Sequence, residues 1–136
     1  THNVSSAASD VYKRQLQSLG IRVSLFIDSE RTQIKAAADV GAEMIELHTG
    51  TFALTTGNEH ESEIKRLQSG AELGNSLGLQ INAGHGIHLE NVKDLFSVKN
   101  LNEFNIGHTL ISRGLFVGIR SAVIEMKAAM QGYPTA

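Results

Sequence analysis

The chain has 136 residues, 41% of them apolar and 19% charged, with a net charge of −2, one Pro and no Cys. That length suits one domain with a real core, and the near-neutral balance gives no electrostatic case for nucleic acid or an anionic membrane. Without Cys there is no disulfide framework, thiolate nucleophile or Cys-ligated zinc, and no apolar run approaches a bilayer span, so a cytoplasmic protein is the expectation.

The first residues, Thr1 to Asp10, are small and polar with no apolar period. Residues 1–14 are expected to be an unstructured, non-native extension, and the run from Ser5 to Gln15 resembles translated sequencing-adapter read-through. Since the chain opens on Thr rather than Met, a fragment is expected. From about Gln15 the pattern becomes regular. Leu16 and Leu19 end a helix, Gly20 stops it, and Ile21 to Asp28 reads as a β-branched and aromatic strand. Ser29 can cap a helix carrying Ile34, Ala37, Ala38 and Val40 at helical spacing before Gly41. Met44 to His48 is a second short strand opening into Thr49-Gly50-Thr51.

Thr55 to Glu61 reads as a longer loop, followed by a helix from about Glu59 to Leu77 with Ile64, Leu67, Ala71 and Leu73 or Asn75 inward. After Gly78 comes a strand, Leu79 to Ala83, in an apolar run suited to coverage on both faces. It breaks into Gly84-His85-Gly86. Val92, Leu95 and Phe96 mark a short helix, Leu101 to Gly107 a fourth strand, and about Leu115 to Met130 a last helix, with Gly132-Tyr133-Pro134 ending the pattern.

Strand, loop, helix and Gly thus recur four times, which is α/β with parallel pairing. An open doubly wound sheet and half of a (β/α)8 barrel both fit, but no GxGxxG follows the first strand. Asp28, Glu46 with His48, His85, and Gly107 with His108 all fall at the carboxyl ends of successive strands, which in a barrel ring one pocket. The expected organisation is a half barrel over residues 15–131 and a tail over 132–136. Such a half would leave two open strand edges and an apolar face.

Glu46 lies between Ile45 and Leu47, so it is either part of a functional site or an outward-facing residue. Alternation points His48 the same way, for acid/base work or for a mutually satisfied contact. His85 between two glycines can give or take a proton near neutral pH, against the alternative of an ordinary Gly-rich turn. His88, three residues on, makes only an incomplete metal pattern. Asn105 to Thr109, with Ser112 and Arg113 nearby, suits either a phosphate or a plain strand-to-helix turn.

Taken together, Val23–Asp28 (VSLFID), Ile45–Gly50 (IELHTG), Ile81–Gly86 (INAGHG) and Asn105–Arg113 (NIGHTLISR) resemble the pyridoxine 5′-phosphate synthase family from about Gln15 to about Met130, with nothing before Gln15 resembling it. The resemblance implies the C-terminal half, strands five to eight, of a TIM (β/α)8 barrel assembling into a homo-oligomer, typically an octamer. It also implies condensation of 3-amino-2-oxopropyl phosphate with 1-deoxy-D-xylulose 5-phosphate, without metal or organic cofactor. By the same resemblance His85 matches the proton donor, Glu46 the carboxylate stabilising charge in the transition state, and Gly86, Gly107 and His108 the phosphate-holding positions. A second histidine and glutamate of the family belong to the first four strands, so the fragment is expected to be inactive alone. Thr109 stands where the family usually has Ala.

Two other readings remain: a different phosphate-binding barrel such as an isomerase, epimerase or aldolase, and a non-catalytic half-barrel binding a phosphorylated metabolite. The lysines (Lys35, Lys65, Lys93, Lys99, Lys127) all fall in helices or their flanks, away from where a Schiff-base aldolase needs one.

Overall fold

A computed structural model describes the backbone of residues 6–134 and the side chains of 11–134. Residues 1–5 and 135–136, where part of the expected extension and tail fall, lie outside the described residues. Four parallel strands form one sheet in sequence order: β1 (Ser24–Ile27), β2 (Met44–His48), β3 (Gln80–Gly84) and β4 (Leu101–Asn105). The helices are α1 (Ser6–Ser18), α2 (Arg31–Asp39), α3 (Gly50–Leu54), α4 (Gly57–Ser76), α5 (His108–Val117) and α6 (Ile119–Ala129), with a 3-10 turn at Val92–Ser97. This is the α/β class with crossovers that the repeated pattern requires.

The core lies between one face of the sheet and the helices. Ile45, Leu47, Ile81 and Ala83 alternate onto that face and meet Ile34 and Ala37 of α2 and Leu67 and Ala71 of α4. Gly70 and Gly74 let α4 approach closely, since a Cβ at Gly70 would fall 1.8 Å from Ser29 Oγ and one at Gly74 2.4 Å from Ile81 Cδ1. Alternation places Phe26, Met44, Glu46, His48, Asn82, Gly84, Glu103 and Asn105 on the opposite face. On that face Asn82 and Gly84 are buried as well, so β3 is covered on both faces as its apolar run leads one to expect, while Phe26 of β1 is 57% exposed.

Several boundaries differ from expectation for local reasons. α1 occupies most of the segment expected to be unstructured, and its buried Lys13 donates to the Val40 carbonyl at the C-terminal end of α2, where a cation meets unpaired carbonyls. Ser29 does not cap α2, whose N-cap is Glu30; its hydroxyl donates instead to the Arg66 carbonyl of α4 (3.0 Å). The expected loop at Thr55–Glu61 is largely helix: α3 ends at Leu54 and α4 begins at Gly57, clasped by His60 between the Phe52 carbonyl and the Asp94 carboxylate (3.1 Å each).

The last helix is two helices, broken at Gly118 with φ +80°, and the first of them starts at His108, directly after β4. The tail is anchored: the Tyr133 hydroxyl donates to the Val98 carbonyl (2.7 Å) and accepts from the Leu101 amide (2.8 Å). Burial pushes that phenol above its ordinary pKa, only partly offset by the Leu101 hydrogen bond. No helix among the described residues is long and apolar enough to cross a membrane.

Candidate active site

Glu46 sits on the face of β2 opposite Ile45 and Leu47, in register with Asn82 of β3. Its carboxylate accepts a 2.7 Å hydrogen bond from Asn105 Nδ2 at the end of β4, so two strands hold it. A carboxylate so held, half-buried but open on one side, can meet positive charge developing in a ligand. Gly84 makes room for it: a Cβ there would lie 2.0 Å from Glu46 Oε1 and 3.0 Å from Asn105 Cβ.

His48 lies beside it, two residues along the same face. Its Nδ1 stands 3.3 Å from Asp28 Oδ1, and its ring meets Phe26 edge to face and His85 at 5.0 Å. His85 itself is exposed and holds φ +80°, a left-handed conformation that costs a non-Gly residue about 1–2 kcal/mol. The turn is fixed from beneath, where buried Thr49 Oγ1 lies 2.6 Å from the carbonyl oxygens of both Gly84 and His85, and the Thr49 amide also donates to Gly84 O (2.9 Å). Asn91 closes the loop, donating to the Gly86 carbonyl (3.2 Å) and accepting from the His88 amide (2.8 Å).

Glu46, His85, Gly86, Gly107 and His108 line one cleft of about 450 Å³, together with Phe26, Ile87, Asn105, Ile106 and Thr109. The structure therefore brings all five sequence-selected residues together at the carboxyl end of the sheet. Gly107 is the N-cap of α5, so the helix begins at this cleft, which His108 also lines, a disposition suited to an anion. Thr109 donates to the Ile87 carbonyl (2.6 Å) and ties α5 to the His85 loop.

Other neighbours suggested by the sequence go elsewhere. His88, Ser112 and Arg113 line a second hollow of about 440 Å³ on the far side of His108. Arg113 is paired there with Glu125 (2.9 Å), whose hydrogen bond holds that carboxyl below its ordinary pKa. His88 Nδ1 accepts from the Glu90 amide (3.3 Å), and His88 and His85 line different hollows. No group of three metal-ligating side chains occurs among the described residues. Sequence reasoning missed Thr49, Asn91 and the hold of Asn105 on Glu46, because each bond joins residues of different elements or turns and leaves no periodic signal.

The family model described as pyridoxal phosphate biosynthesis protein PdxJ matches residues 3–132, beginning earlier than the motif resemblance at Gln15. Among curated relatives, the pyridoxine 5′-phosphate synthase of Akkermansia muciniphila is 56% identical over 112 residues, 82% of this chain and 46% of the relative. That of Legionella pneumophila (strain Corby) is 50% identical over 119 residues, 87% of this chain and 48% of the relative. That of Coxiella burnetii (strain Dugway 5J108-111) is 47% identical over 119 residues, 87% and 50% respectively. The chain spans about half the length of the curated relatives it matches.

Proposed function

The chain belongs to the PdxJ family of pyridoxal phosphate biosynthesis proteins, and from that premise we propose that it supplies strands five to eight of a (β/α)8 pyridoxine 5′-phosphate synthase. The reaction is condensation of 3-amino-2-oxopropyl phosphate with 1-deoxy-D-xylulose 5-phosphate, giving pyridoxine 5′-phosphate, inorganic phosphate and water. The observation that carries this reading is the convergence of Glu46 and His85 on one cleft with Gly86, Gly107 and His108.

In this reading the Glu46 carboxylate, oriented by Asn105, stabilises the positive charge on nitrogen as the amine of one substrate adds to the carbonyl carbon of the other, whose oxygen leaves as water. His85, presented on its exposed turn, donates a proton to a departing oxygen. Amides around Gly86 and at the start of α5, with His108, hold the substrate phosphates. Neither a metal nor an organic cofactor takes part. The complementary histidine and glutamate come from the first four strands, so the chain alone binds without turnover, and the complete enzyme is a cytoplasmic homo-oligomer, an octamer by resemblance.

The test has two arms. Adding 1-deoxy-D-xylulose 5-phosphate to the 15N-labelled chain shifts the amides of Gly86, Gly107 and His108 saturably, with competition by inorganic phosphate. Mixing the chain with the first half of the Akkermansia muciniphila synthase then yields pyridoxine 5′-phosphate. Absence of both effects overturns the reading; binding without turnover in the mixture favours a non-catalytic binder of phosphorylated metabolites.

A further inference from the structure

We propose that His48, gripped by Asp28, is a positioning residue that fixes the ring of His85. The role assigned to His85 rests on the synthase reading above; the contact itself does not. A carboxylate has no proton to give, so the 3.3 Å approach of Asp28 Oδ1 to His48 Nδ1 places the ring hydrogen on Nδ1. That selects one tautomer and one ring plane, with Phe26 packed edge to face at 5.1 Å to hold the plane from the other side. The opposite edge of His48 then faces Gly50 and His85. A Cβ at Gly50 would fall 2.7 Å from both Cε1 and Nε2 of His48 and 3.2 Å from Cδ2 of His85, so both imidazole edges converge over this residue and no larger side chain fits beneath them.

His85 needs such support. Its backbone is held, by Thr49 against its carbonyl and by the left-handed turn, but among the described residues no side chain hydrogen-bonds its ring. The ring is exposed, and its aromatic neighbour is His48, 5.0 Å away and tilted by 43°. An exposed imidazole with free χ rotation spends much of its time away from a reacting atom, whereas catalytic geometry has to be kept within about half an ångström. The chain of contacts Asp28, His48, His85 crosses β1, β2 and the loop after β3, so three separate strand ends determine where the His85 ring stands.

The experiment is side-chain NMR of the full 136-residue chain labelled at histidine, without substrate. The expected wild-type result is His48 in the Nδ1–H tautomer, a nuclear Overhauser contact between the His48 and His85 rings, and a single χ1 rotamer for His85. In Asp28→Ala the His48 tautomer shifts toward Nε2–H. In His48→Ala the His85 couplings average over rotamers and the ring contact is lost, while His48→Phe, which keeps the packing disc, restores one rotamer. A wild-type His48 in the Nε2–H form, or a His85 rotamer unchanged in a folded His48→Ala chain, overturns the proposal. Should His48→Ala fail to fold, the wild-type tautomer and ring contact decide. The phosphate titration above decides the enzyme reading separately.

Discussion

Replacing Gly84 by Ala tests the packing that holds the Glu46 carboxylate. Gly84 does not need a left-handed backbone, so the substitution brings a gain of about 0.4–1 kcal/mol from a less flexible unfolded chain. Against it stands the new Cβ, 2.0 Å from Glu46 Oε1, 2.9 Å from Glu46 Cδ and 3.0 Å from Asn105 Cβ. The carboxylate can swing into the open cleft, but only by giving up the 2.7 Å hydrogen bond from Asn105. Asn105 Cβ is fixed by its strand and cannot swing. Overpacking of this kind costs about 1–3 kcal/mol and the lost charge-assisted bond about 1 kcal/mol at a half-exposed site, so a net loss of about 1–3 kcal/mol is expected. Urea unfolding of the wild type, Gly84→Ala, Glu46→Ala and the double variant measures it as a cycle. Because removing the Glu46 side chain removes the main clash, the two substitutions should couple by about 1–2 kcal/mol. Strict additivity would refute the claim that Gly84 exists to seat Glu46.

The anchor at the foot of the sheet predicts that Tyr133→Phe lowers stability by about 1–2 kcal/mol, from the loss of one hydroxyl serving both Val98 and Leu101. Because burial raises the folded-state pKa of Tyr133, its contribution is fully present below the ordinary phenol value of 10.0 and is lost as pH rises through the higher folded value; a pH series of urea midpoints should show that decline in the wild type and not in Tyr133→Phe. Gly118→Ala, at φ +80°, should cost about 1–2 kcal/mol by the same assay, and no loss would mean that the break between α5 and α6 relaxes without strain. Since β1 and β4 each have one strand partner, concentration-dependent self-association is expected on size exclusion, and a sharp monomer with cooperative thermal unfolding would count against it.

The elements legible in the sequence were those whose signal is local. Met44–His48 was bounded correctly because Ile45 and Leu47 alternate with Glu46 and His48, and that alternation is itself the division between core and cleft. The stops at Gly20, Gly41 and Gly78 were legible for the same reason, since each has a positive φ that glycine adopts without penalty. The C-terminal helices were not. Ile111, Leu115, Ile119 and Val123 continue an apolar helical period straight across Gly118, and nothing in that period reveals a break. Arg113 looked available for phosphate because it stands five residues after His108; its partner Glu125 lies on the other side of the break and could be matched to it only once α5 and α6 were folded back together. The sequence leaves Asn105 open between a phosphate turn and a plain strand-to-helix turn, while its hold on Glu46 spans 59 residues.

The two faces of the sheet divide the work. Ile45, Leu47 and Ile81 are fully buried against α2 and α4 and supply the apolar area that stabilises the fold, at roughly 25 cal/mol per Å². The intervening residues Glu46, His48 and Asn105 contribute little of that area, because Glu46 and His48 are only half-buried and Asn105 is exposed. They are therefore free to be polar, and their arrangement is set by one another: Asn105 on Glu46, Asp28 on His48, His48 against His85. Strand alternation puts a stabilising residue and a chemical residue next to each other in sequence and about 180° apart in direction. Truncating Ile45 or Leu47 should then lower stability at every site, whereas changing Glu46 or His48 should act on the cleft and leave the sheet standing. The loops after β3 and β4 add the one thing a strand cannot, exposed backbone amides beside a histidine, and they do so from the same carboxyl end toward which Glu46 and His48 already face.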